Sequence, residues 1–287
     1  MVHNTPLAYH FSDKHLWFDI AVLAALFVVA AYIPLLKIVP LVASLELFSF
    51  FSFHLLAKRS RFQLQGFLGG FISSTAVFLQ TLNDNKYVST SERDLLSTLL
   101  FALCAMLLEC LFIIFYLSDE LSFVYYLPFI TQLIVFSIAI IYVNICSKFR
   151  TLNSHAVDSA VDIELLNDHP IIWKNVAKLS FLIFVIIAAM NFIGSELGLS
   201  RGIGTFVVSF FEAHAILASL MTEWHFQSPD IDLIKLFFII LLGNTVSKSY
   251  LAIRGSNLRQ KWFFVAVMLL GFLASIGVTY IWSRVIH

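Results

Sequence analysis

The chain alternates long apolar runs with short polar breaks. Nine runs stand out, at residues 16–36, 39–56, 63–82, 95–117, 121–146, 173–193, 203–221, 231–253 and 262–285. About 20 apolar residues cross the hydrocarbon core of a bilayer as a helix. A helix also satisfies its own backbone in lipid, whereas the ten-residue alternation of a membrane barrel is not visible here. The pattern predicts an all-α polytopic transmembrane bundle of about nine spans. Run 63–82 is unusual. It carries Gly66, Gly69 and Gly70, then Ser73, Ser74 and Thr75 in succession. Small residues let helices pack closely, and hydroxyls can satisfy backbone groups freed by a helix break. Two readings follow: a tight packing face, or a discontinuous helix lining a polar pathway.

Composition agrees with the pattern. The 287 residues are 60% hydrophobic and only 13% charged, with a mean hydropathy of +0.89. Soluble domains carry about 25% charged residues, so this is a membrane protein. The 18 basic and 18 acidic residues balance, which removes the basic excess expected of a nucleic-acid binder. Cys104, Cys110 and Cys146 form no metal-like pair and read as free thiols in apolar surroundings. No phosphate loop, HExxH or GxSxG motif is present, and nothing supplies a base for Ser73, Ser74 or Thr75 as nucleophiles. The expectation is a protein that is not an enzyme and has no cofactor and no metal site.

Sliding the chain by 139 residues aligns its halves without a gap. Gly70 to Val77 meets Ser209 to Ile216, and Ala105 to Glu109 meets Asn244 to Lys248. Residues 1–38 then form a polar tail and an extra helix, 39–146 a first unit, 147–172 a polar linker and 173–287 a second unit. Four spans per unit would give two repeats of parallel orientation, with a site where they meet. Nine spans put the basic loops at Lys58 to Arg61 and Arg254 to Lys261 on one side, the cytoplasm by the positive-inside rule. Loops 83–94 and 224–230 and the segment 147–170 would then face outside.

Ionisable residues at membrane depth usually face a bundle interior or a water cavity. Glu109 and Lys248 are mid-span and equivalent under the offset. They would form, or lie near, a central ion pair, which either serves a pathway or only fixes helix register. Asn244 shares a helix face with Lys248. Glu212 and His214 lie two apart, so an unbroken helix could turn only one of them inward. A break, like that expected near Ser73, would turn both in. Glu212 is then a candidate cation or proton site tuned by His214, against a structural pair of packed polar groups. Glu46 and His54 are weaker candidates.

These residues also carry a resemblance. Gly69 to Val77, Ser209 to Ala215, Asn244 to Lys248 and Ile163 to Asn167 resemble motifs of the membrane domain of unknown function usually found C-terminal to an MgtC/SapB domain. The similarity covers residues 40–285. Glu109 stands where that family usually has Arg, Ser209 where it has Gly, and Glu212 where it has Asp. The resemblance implies a multi-pass protein of the bacterial inner membrane, of transporter class and with no defined substrate. The expected function is therefore a secondary transporter, or channel-like permeator, of a small ion or polar solute. Its pathway residues would be Gly69, Gly70, Ser73, Ser74, Thr75, Glu109, Glu212, His214, Asn244 and Lys248. The alternative is a regulatory membrane protein that binds another membrane complex. Lipid is the expected surrounding, and a second copy of the chain or another membrane protein stays open as a partner.

Overall fold

Backbone groups in lipid must pair within their own segment, and almost every described residue is helical, with no strand among them. The computed structural model describes residues 14–32, 61–83, 91–117, 123–146, 201–210, 212–223, 231–255 and 257–286, with scattered positions in 39–47 and 173–185. The expected second and sixth spans, with Glu46 and His54, lie largely outside these residues. Eight α-helices and one 3-10 turn (Phe123–Tyr125) are described: α1 (Lys14–Tyr32), α2 (Arg61–Asn83), α3 (Glu92–Leu117), α4 (Leu127–Ile145), α5 (Arg201–Ser209), α6 (Ala213–Glu223), α7 (Ile231–Arg254) and α8 (Lys261–Ile286). Four of them, α3, α4, α7 and α8, are long and apolar enough to cross a membrane.

The chain divides into two compact units, residues 1–61 with 156–182, and 62–155 with 183–287. In the first, Leu16, Leu23 and Ala30 recur every seven residues on one buried face of α1, while Trp17, Phe18, Val28 and Val29 are exposed. The Trp173 indole N–H donates to the buried Asp19 carboxylate at 2.9 Å.

The second unit holds everything else. Its α2 was expected to be one continuous span, but it is two arms. The helix breaks at Ser73, where the backbone is extended (φ −166°, ψ 108°). A Cβ placed on Gly69 would lie 2.6 Å from Val77 Cγ2. Eight residues of continuous helix would separate those positions by about 12 Å, so the chain doubles back. The first arm runs beside α3 in the same direction, Gly66 against Thr98 and Gly70 against Ala102. Their missing side chains permit that approach: a Cβ on either would come within 2.3 or 2.6 Å of a backbone oxygen of α3. The second arm runs beside α7, Thr75 against Lys248 and Leu82 against Gly255.

Both arms end at one rim. Gln63 on the first arm and Arg93 at the start of α3 each donate to the Asn144 side-chain oxygen at the end of α4. Asn257 donates from its backbone to Leu82 O and from its side chain to Thr81 O, at the end of the second arm. Beside it, the buried Glu92 carboxylate accepts the backbone N–H groups of Arg259 and Gln260, at 3.0 and 2.8 Å. The loop 83–94, expected on the opposite side from Arg61, thus begins and ends at the same rim.

The expected seventh span is likewise two short helices. With nine and eleven residues, α5 and α6 reach about 14 and about 17 Å, half a bilayer core of about 30 Å. Gly243 sits against Phe206 O and the Ser209 hydroxyl, and Ser247 donates to Phe210 O at 2.7 Å, so α5 runs along α7 in its direction. The partner α6 packs on α3 and α5, and residues 224–230 join it to the start of α7. This pair therefore enters from the rim opposite to that of α2.

Helices α4 and α8 are antiparallel: Ser275 bonds Pro128 O, Gly271 meets Phe136, and Phe263 stacks on Tyr142. Helices α3 and α7 also run oppositely, since the start of α3 lies beside the end of α7. The parallel orientation expected from four spans per unit is therefore corrected to an opposed one. Each doubled-back hairpin stands where the expectation counted one crossing.

Candidate functional site

The two hairpin tips meet inside the second unit. Ser73 begins the second arm of α2, and its hydroxyl oxygen accepts the Ala76 N–H at 3.1 Å as a helix N-cap. That same hydroxyl donates to the Glu212 carboxylate at the break between α5 and α6. Ser and Thr cap helices well because their oxygen reaches the unpaired N–H groups of the first turn. The hydroxyl run Ser73-Ser74-Thr75 thus supplies a break and something to bond across it. Both α6 and the second arm of α2 start at this point, so two positive helix ends converge where Glu212 lies.

Around the tips sit three buried ionisable groups. Lys248 of α7 donates from Nζ to the Thr75 hydroxyl, and its ammonium lies 5.4 Å from the Phe78 ring centre. His214 of α6 has Nδ1 between two carboxylates, 3.6 Å from Glu109 Oε2 of α3 and 3.4 Å from Glu212 Oε2. Glu109, His214 and Lys248 are each 1% exposed, which makes each charge expensive unless it is answered. Glu109 Oε2, both His214 nitrogens and the Asn244 side-chain nitrogen are buried without a hydrogen-bond partner among the described residues.

Of the ten expected residues, Ser73, Thr75, Glu109, Glu212, His214 and Lys248 come together. Glu212 and His214 both turn inward because the helix is broken between Ser209 and Ala213. Glu109 and Lys248 form no ion pair with each other among the described residues. Each meets the tip of the other half instead, Lys248 at Thr75 and Glu109 at His214. Asn244 is buried one turn before Lys248 on α7. Gly69 and Gly70 serve close packing, against Val77 and Ala102. Ser74 is buried with its hydroxyl 3.6 Å from Met106 sulfur.

The contacts obey the 139-residue offset. Ser73 and Glu212 are 139 apart and touch each other directly. Adding 139 to Thr75 and subtracting it from Lys248 gives His214 and Glu109, the other cross-contact. The pairs Phe67–Phe71 and Phe206–Phe210, also 139 apart, each pack edge-to-face at 5.0 Å.

Sequence reasoning missed Asn144, Asn257 and the Glu92 clamp. Gly66 and Gly70 take the close-packing role that small residues at this spacing suggest. Among the described residues, no group of three His, Cys, Asp or Glu side chains is arranged to hold a metal ion. The family model that matches the chain is a domain of unknown function, DUF4010, over residues 41–255. No curated protein and no solved structure matches it.

Proposed function

The chain belongs to the DUF4010 family, whose function is unknown, and we propose that it is a secondary transporter of a small ion or polar solute, with its pathway past the two hairpin tips. One observation carries this reading: two doubled-back helices bond tip to tip, Ser73 to Glu212, among buried charges at membrane depth. Non-helical backbone at that depth is tolerated where protein buries it or where it lines a cavity. Broken helices whose ends face polar groups at the meeting of two halves are the usual binding site of transporters with opposed repeats. The 139-residue symmetry of the contacts supports reading the halves as such repeats.

The rim bearing Arg61, Arg93, Arg254, Arg259 and Lys261 is the cytoplasmic one in this proposal, by the positive-inside rule. A bacterial inner membrane is its proposed location, from the family resemblance. The test is a flux screen over common ions and small polar solutes in proteoliposomes. Wild type should pass at least one, and Glu212→Gln and Lys248→Met should lose it. Cysteines placed at Ser73 and Glu212 should react with aqueous thiol reagents. Unreactive cysteines with no flux would sink the proposal and favour a membrane protein that regulates another complex.

A further inference from the structure

We infer that the cluster binds one proton between Glu109 and His214, and that this proton is the ion exchanged or carried with the solute. The inference rests on the transporter reading and adds the coupling ion. It starts from charge accounting. The groups facing the site are Glu109 from α3, Glu212 from the α5–α6 break, His214 from α6 and Lys248 from α7. The first arm of α2 ends, and its second begins, with the hydroxyls Ser73 and Thr75, and Cys110 follows Glu109 on α3. Two carboxylates, one ammonium and a neutral imidazole leave a formal charge of −1, which the two helix N-termini at Glu212 answer only in part. Burial makes an uncompensated charge costly, so the site calls for one positive charge.

Geometry says where that charge goes. Glu212 Oε1 is engaged by the Ser73 hydroxyl and Lys248 by the Thr75 hydroxyl, while Glu212 Oε2 is buried with no hydrogen-bond partner among the described residues. Glu109 Oε2 and His214 Nδ1 are buried without hydrogen-bond partners and face each other across 3.6 Å, with Glu212 Oε2 at 3.4 Å from the same nitrogen. A proton on Nδ1 turns both approaches into charge-assisted hydrogen bonds. A metal ion fits less well, since the imidazole already occupies the gap between the two carboxylates. The proton enters from water at one rim, is shared by Nδ1 and the two carboxylates as a unit, and leaves to water at the other. No bond other than N–H or O–H forms or breaks.

The test melts the purified full-length chain in detergent over a pH series through the histidine range, beside Glu109→Gln. A proton bound in the folded state stabilises at low pH and is lost as pH rises. Wild type should therefore show a melting temperature that falls with rising pH. Glu109→Gln, whose cluster is neutral without a proton, should show a flatter profile. Parallel profiles would overturn the inference. If Glu109→Gln does not fold, His214→Gln is used: it should displace the profile, because the proton then has only carboxylate oxygens to bind, and an unmoved profile overturns the inference. The melt needs no transported solute. A flattened profile without flux removes the transporter reading and keeps the proton site, whereas flux with parallel profiles does the reverse.

Discussion

The two hairpins share a backbone plan and differ in chemistry. The α2 tip presents hydroxyls, Ser73 and Thr75, where the α5–α6 tip presents Glu212 and His214. The long helices differ too, Glu109 on α3 standing where α7 has Lys248. Each hydroxyl of the first tip answers a charge of the other half, Ser73 at Glu212 and Thr75 at Lys248. The remaining cross-contact sets two ionisable groups against each other, Glu109 and His214. One tip is thus a neutral holder, and the other a charged one whose state can change.

The comparison is broken hardest at Lys248. Lys248→Met removes the buried ammonium and its bond to Thr75 and leaves the site with no buried cation, at about 3 kcal/mol or more. Thermal melting in detergent should show the loss, and the double variant Glu212→Gln/Lys248→Met should recover most of it. Gly66→Ala comes next. Its Cβ would lie 2.3 Å from Thr98 O, forcing the first arm off α3 at about 1–3 kcal/mol. At the equivalent place on α5 the chain already carries the buried Thr205, so Thr205→Ala should cost less by the same measurement. Ser73→Ala removes a cap and the tip-to-tip bond, at about 1–2 kcal/mol, and should lower flux further than it lowers stability. Gly277→Ala is the floor: a Cβ there meets nothing within 4 Å, and melting should move by no more than about 0.5 kcal/mol.

Much of this could be read from the residues. Composition and run length give a helical membrane protein, and the four helices long and apolar enough to span each overlap one of the expected runs. The 139-residue slide paired Ser73 with Glu212 and Glu109 with Lys248 before any contact was known. The doubling-back was hidden for a physical reason. Two half-length arms contain as many apolar residues as one span, so hydropathy cannot separate them. Direction followed from that count and failed with it. The Glu92 clamp was hidden as well, because its partners are backbone N–H groups, which every residue but proline offers.

That clamp decides how the fold can bend. Glu92 ties the start of α3, and Asn257 the foot of the second α2 arm, to the turn between α7 and α8, through several N–H···O contacts that must break together. Position 231, the counterpart of Glu92 on the opposite rim, is Ile and can accept no such bond. Among the described residues, the second unit is therefore bolted at this edge by contacts that position 231 does not repeat at the other. Amide hydrogen exchange should run slow at Arg259 and Gln260 and faster around the first turn of α7.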